Sequence, residues 1–142
     1  MKNRHIILGL VLPLFFCGKL LAQEEDHGLT YRNANNGLGG LCYATYDYVG
    51  IDTHNAPPGI WRNDCVRSLI LTNVRVGCVI QIDDSKHGDR SDDWCLITVK
   101  KTSPRYVVGS FETPIDDDYI KLEFFADDGH LDGKVSSIKI IN

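Results

Sequence analysis

Asp132-Gly133-Lys134-Val135-Ser136-Ser137-Ile138-Lys139-Ile140 is the stretch whose reading decides the fold. Asp-Gly supplies a sharp turn, because Gly accepts backbone angles that other residues resist and Asp hydrogen-bonds the chain just ahead of it. Val135, Ile138 and Ile140 are the apolar residues of an alternating strand, and the hydroxyls of Ser136 and Ser137 fall where the loop becomes that strand. A degenerate copy lies upstream in Asn63-Asp64-Cys65-Val66-Arg67-Ser68-Leu69. Position by position, both read acid or amide, small or acid, any residue, Val, a variable residue, Ser, aliphatic. Two copies of one turn-plus-strand signal predict two related structural units within one domain.

Working outward from the turns, short runs rich in Val, Ile, Thr, Tyr and Phe predict strands at 41–46, 66–72, 78–82, 94–100, 106–111, 119–125 and 135–141. Pro57-Pro58-Gly59, Asp83-Asp84-Ser85, Ser103-Pro104, Pro114 and Asp128-Gly129 separate them. Short strands between regular turn signals predict an all-β sandwich or barrel, and no window sustains a helical apolar stripe. In Ile120-Lys121-Leu122-Glu123-Phe124 apolar and charged residues alternate, so that strand has one wet and one buried face. Residues 41–142 are read as the folded domain and 23–40 as a polar leader.

Residues 1–22 read as a signal peptide. Lys2 and Arg4 precede an apolar run from Ile6 to Phe16, and Ala22 is a small residue at the expected cleavage point. The run is too short to span a bilayer comfortably, so no transmembrane segment is expected after cleavage. Lipid attachment at Cys17 is disfavoured by the bulky Phe16 before it. The expected location is therefore secreted or periplasmic. Cleavage removes three basic residues and no acidic one, so the formal charge of −4 becomes more negative. That balance excludes nucleic acid and anionic membrane as natural partners, since both require a basic face. A protein or a glycan is left as the partner class.

Cleavage also removes Cys17, leaving Cys42, Cys65, Cys78 and Cys95. An even count in an exported domain predicts two disulfides, with three pairings open. Sequential pairing, Cys42–Cys65 and Cys78–Cys95, would put one bridge in each repeat. Four buried thiols are the alternative, and zinc is poorer still without a close Cys-x-x-Cys pair.

The paired turns resemble the calcium-binding signature of the βγ-crystallin family, Asn/Asp-Asn/Asp-x-x-Ser/Thr-Ser. A second family mark, aromatic-x-x-x-x-aromatic-x-Gly, is matched by Tyr43-Ala44-Thr45-Tyr46-Asp47-Tyr48-Val49-Gly50. The resemblance covers roughly residues 41–141 and implies a two-sheet Greek-key sandwich. In such a unit the irregular piece 47–65 would hold a folded-over hairpin and a short strand near Ile60-Trp61. The resemblance further implies Ca2+ held by turn oxygens, with the fifth-position hydroxyl as a direct ligand and each turn completing the other's site. Carried onto this chain, the candidate ligands are Asn63 and Asp64 in the upstream turn and Asp132 and Ser136 in the downstream one. Arg67 stands at the upstream fifth position, where a guanidinium repels a cation, and Gly133 lacks a side-chain oxygen. At most one good site is expected, centred on Asp132 and Ser136. If the turns are fold elements only, Ser68 and Ser137 are expected to hydrogen-bond local backbone.

No catalytic residue is assigned. Gly-x-Ser-x-Gly, His-Glu-x-x-His and phosphate-loop patterns are missing from the sequence, and His27, His54, His87 and His130 stand singly in polar segments. The acidic runs Asp83-Asp84, Asp92-Asp93 and Asp116-Asp117-Asp118 read as solvated turns, while Asp127-Asp128 would add negative potential beside the Asp132 turn. Trp94 reads as core and Trp61 as a loop residue. The expected function is that of a non-enzymatic βγ-crystallin-like structural or binding module that binds calcium. Its alternatives are a secreted protease inhibitor of the same fold, using 83–93 or 53–61 as the inserted loop, and a secreted antimicrobial toxin. The acidic charge ranks the toxin last.

Overall fold

The computed structural model describes residues 28–48, 50–53, 62–127 and 129–141. Residues 1–22, read above as a signal peptide, together with Trp61, Ile60, His27, His54 and most of the 53–61 loop, lie outside them. Nine strands follow in order: β1 Gly28–Arg32, β2 Leu41–Thr45, β3 Ser68–Thr72, β4 Val79–Asp83, β5 Trp94–Val99, β6 Tyr106–Val108, β7 Ile115–Asp116, β8 Ile120–Phe125 and β9 Ser137–Ile140. A 3-10 turn, Asn35–Gly37, lies between β1 and β2. The strands form two antiparallel sheets, one ordered β2-β1-β3-β6 and the other β7-β8-β5-β4-β9. The sheets pack together as an all-β, two-sheet sandwich.

Alternation builds the core. β1 buries Leu29 and Tyr31, and β5 buries Cys95, Ile97 and Val99, while the residues between them face outward. Ile80 and Ile82 of β4 and Ile138 and Ile140 of β9 complete the inner face of the second sheet. Burying each such side chain stabilises the fold by roughly 1.5–3 kcal/mol. β8 keeps the predicted wet and buried faces, with Ile120 and Leu122 inside and Lys121 exposed.

The two halves exchange edges. β1, β2 and β3 of the first half are joined in their sheet by β6 from the second half, which pairs with β3 through Leu69–Val108 and Leu71–Tyr106. In return, residues 50–53 of the first half run along the outer edge of β9. The Gly50 N–H donates to the Ile140 carbonyl (2.9 Å) and the Ile140 N–H to the Ile51 carbonyl (2.8 Å). Thr53 Oγ1 accepts from the Ile138 N–H at 2.7 Å, and Asp52 bridges Lys139. The order β2-β1-β3-β6 is thus matched by β5-β4-β9 and the 50–53 segment. The β7–β8 hairpin extends the second sheet beyond β5.

Each half folds one loop back over the outer face of its own sheet. In the first, 33–40 is closed by Asn33, whose Oδ1 accepts from the Gly40 N–H at 2.7 Å. In the second, 84–93 is closed by the Asp84 N–H donating to the Asp93 carbonyl at 2.9 Å. Gly37 and Gly88, each the fifth residue beyond its strand, both have positive φ, 70° and 58°.

Three expectations are corrected here. Residues 28–40 are not a leader: Gly28–Arg32 is an inner strand between β2 and β3, and the Asn-rich run after it is the folded-over loop. The family resemblance implies that loop within 47–65; it lies instead at 33–40, between β1 and β2. Tyr43 lies in β2 and packs on Tyr31 (5.8 Å between ring centres), but Tyr46 and Tyr48 are exposed, touching each other. The second bridge is missing: Cys42–Cys65 is a disulfide, whereas Cys78 and Cys95 are buried free thiols. Strand register gives the reason. Cys95 faces Ile82 across the β4–β5 pair, whereas the Cys78 carbonyl accepts from the Val99 N–H at the other end. Four residues of strand span roughly 13 Å, well beyond the ~7 Å limit between bridged Cα atoms.

Candidate functional site: the paired turns

The two turns meet through a reciprocal pair of hydrogen bonds. The Asp64 N–H donates to the Val135 carbonyl (3.1 Å), and the Gly133 N–H donates to the Val66 carbonyl (2.7 Å). Each donor is the second residue of its turn and each acceptor the fourth residue of the other. Both donors sit in the left-handed region, with φ of 57° for Asp64 and 86° for Gly133. Asp and Gly are residues that reach this region. Val66 and Val135 are fully buried and join the common core.

The sixth residues open the next strands, and both are fully buried. Ser68 Oγ donates to the Ala34 carbonyl (2.6 Å) and accepts from the Gly37 N–H (3.0 Å), tying the first folded-over loop to β3. Its partners are distant in sequence, not the local backbone expected. Ser137 faces Gly88 in the same way, since a β-carbon on Gly88 would lie 2.7 Å from its Oγ. The Ser137 hydroxyl makes no hydrogen bond.

The candidate calcium ligands have other partners. Asp132 Oδ2 accepts from Asn35 Nδ2 (2.7 Å) and Oδ1 from the Phe111 N–H (2.9 Å). The N–H groups of Leu131 and Asp132 both donate to Glu112 Oε1 at 2.8 Å. Asp132 is thus the clamp that fastens the downstream turn to the first half's 3-10 turn and to the chain after β6. Ser136 Oγ donates to the Lys134 carbonyl (3.3 Å). Asn63 and Asp64 are exposed. Arg67 reaches across to the other turn, where its Nη1 donates to the Asp132 carbonyl (3.3 Å). A β-carbon on Gly133 would stand 2.6 Å from the guanidinium. Among the described residues no group of three or more His, Cys, Asp or Glu side chains is arranged to hold a metal. With the Asp132 carboxylate turned onto N–H donors and a fixed positive charge at the junction, the residues as they stand do not fit calcium.

The outer face of the second sheet carries buried polar groups that the sequence reading did not single out. The 84–93 loop covers Gln81, Asp83 and Ser137. Gln81 Nε2 donates to the Asp83 carboxylate (3.0 and 2.9 Å) and to the Gly88 carbonyl (3.1 Å). Burial raises the Asp83 carboxyl above its ordinary range. Asp93, expected in a solvated turn, is fully buried and gathers the N–H groups of Asp127, Gly129 and His130. A buried carboxylate holding three backbone donors fixes the 127–130 loop. Nothing in the Asp92-Asp93 dipeptide separates this role from a surface turn. Trp94 is not core: it lies half-buried on the same outer face. Phe125 stacks on its ring at 3.9 Å, and the Arg90 guanidinium lies over it at 4.5 Å. The Trp94 ring is thus engaged by two side chains of its own domain.

The 84–93 loop also bears on the inhibitor alternative. Ser85 and Ser91 hydroxyls both donate to Asp89 Oδ1 at 2.7 Å, which holds its carboxyl down at about 2. The Gly88 N–H donates to the Ser85 carbonyl (2.9 Å), so Lys86 and His87 are exposed at the corner of a closed turn. A loop that enters a protease cleft in extended form is a different object. No helix among the described residues is long and apolar enough to cross a membrane.

Comparison with protein-family models, with curated proteins and with solved structures gave no match to this chain.

Proposed function

We propose that this chain is an exported, non-enzymatic structural or binding module of βγ-crystallin type, with a protein or glycan as partner. One observation carries the reading: two turn-plus-strand units exchange edges and are locked by reciprocal backbone bonds between Asp64 and Val135 and between Gly133 and Val66. The same residues carry the family resemblance in the sequence. This architecture spends its polar groups on fastening loops to sheets: Ser68, Asp132, Glu112 and Asp93 all serve that end. Export agrees with the Cys42–Cys65 bridge, which persists in an oxidising compartment.

The test is expression of the whole chain in a bacterial host, fractionation, and challenge of the exported product with trypsin. The expected product starts after Ala22, retains its disulfide and resists digestion, because cleavage requires opening of a cooperative fold. Retention in the cytoplasm, or digestion as fast as an unfolded substrate, overturns the reading. A fall in the activity of the added trypsin would favour the inhibitor alternative instead.

A further inference from the structure

We propose that the Arg67 guanidinium is a built-in cation, standing at the junction of the two turns in place of a bound divalent ion. Arg67 leaves the upstream turn at its fifth position and lays its charged end on the backbone of the downstream turn, at the Asp132 carbonyl and over Gly133. A cation is favourable there. The junction presents the Asp132 carbonyl oxygen to the guanidinium. The guanidinium is always charged and carries donors suited to such oxygens.

The matching departure from the repeat lies in the other turn. Position two is Asp64 upstream but Gly133 downstream, and a β-carbon at 133 would meet the guanidinium where it now lies, 2.6 Å away. Arg67 and Gly133 are therefore one paired feature rather than two separate losses. An ion held from solution stabilises a fold by an amount that grows with the logarithm of its concentration over Kd. A cation attached to the chain is present at every calcium concentration, so the domain keeps its turns locked in calcium-poor surroundings and in the presence of chelators. This holds whether or not the domain is exported.

The test is differential scanning calorimetry of the intact domain in excess calcium chloride and in EDTA, with calorimetric titration of calcium chloride. Wild type is expected to melt at the same temperature in both and to show no binding heat. Arg67→Ser removes the charge and places a hydroxyl where the downstream turn has Ser136, with Asn63 and Asp64 beside it. It should melt below wild type in EDTA and recover by several degrees in calcium. Arg67→Lys keeps a charge and should stay indifferent to calcium. A calcium-dependent rise in wild type overturns the proposal, as does an Arg67→Ser protein that calcium does not stabilise. Should Arg67→Ser fail to fold, Arg67→Gln serves as the neutral comparison: melting equal to Arg67→Lys in EDTA would show that the charge does nothing.

Discussion

Asp83 faces Ser137 across the β4–β9 pair, and neither side chain reaches solvent. The carboxylate has Gln81 as its amide donor while the hydroxyl opposite makes no hydrogen bond. Burial raises the carboxyl's affinity for its proton. The Gln81 bond and the charges of Lys139 and Arg90 oppose this in part, and Asp89 reinforces it. The folded state thus binds the proton more tightly than the unfolded state does, so ionised Asp83 costs stability at neutral pH. The cost is relieved as pH falls through the raised value toward the ordinary ~4.

Asp83→Asn should therefore stabilise the domain at neutral pH by about 1 kcal/mol, the scale of a relieved buried polar penalty. The advantage over wild type should shrink as pH is lowered toward about 4, where Asp83 itself is protonated. Thermal melts of both proteins across that range check this. A variant less stable than wild type at neutral pH would show that the ionised carboxylate is net favourable.

The cysteines should behave as one bridge and two hidden thiols. Alkylation of the native, non-reduced protein should leave Cys78 and Cys95 unmodified, since both are buried and burial raises both thiols, Cys78 to about 11. Alkylation after denaturation without reductant should label those two residues and leave Cys42 and Cys65 unlabelled, read by peptide mass spectrometry. Reducing Cys42–Cys65 should cost roughly 3 kcal/mol by freeing the unfolded chain. A Cys78–Cys95 peptide in the non-reduced digest would contradict the strand register described above.

Tyr31 carries a fully buried hydroxyl without a hydrogen-bond partner. Tyr31→Phe removes that oxygen and keeps the ring against Tyr43, so it should stabilise by about 1 kcal/mol. Urea unfolding should show a higher midpoint with an unchanged slope. A lower midpoint would mean that the hydroxyl is satisfied in solution.

The sequence was informative where a strand announces itself by local pattern. The seven predicted runs all contain strands, because Val, Ile and aromatic residues between turn signals suit a pleated, half-buried surface. β1 escaped notice because only Leu29 and Tyr31 alternate within it, and the Asn-rich run behind it has the composition of a mobile leader. Its role as an inner strand comes from partners, β2 and β3, that lie elsewhere in the chain. The two turns were visible as motifs. Their mutual hydrogen bonds, the reach of Arg67 onto Gly133 and the engagement of Asp132 by Asn35 and Phe111 are relationships in space. Parity of cysteines suggested two bridges, but the register of the β4–β5 hairpin, which sets Cys78 and Cys95 four residues apart, decides which sulfurs meet, and parity carries no register.

The exchange of edges between the halves also dictates an order of events. β9 sits between β4 and the 50–53 segment, so the second sheet closes only when the last described strand inserts beside a stretch made long before it. Such distant pairings slow folding, since loop closure precedes the reward. A growing chain is thereby kept open until β9 is available, which makes the last described strand the latch of the whole domain.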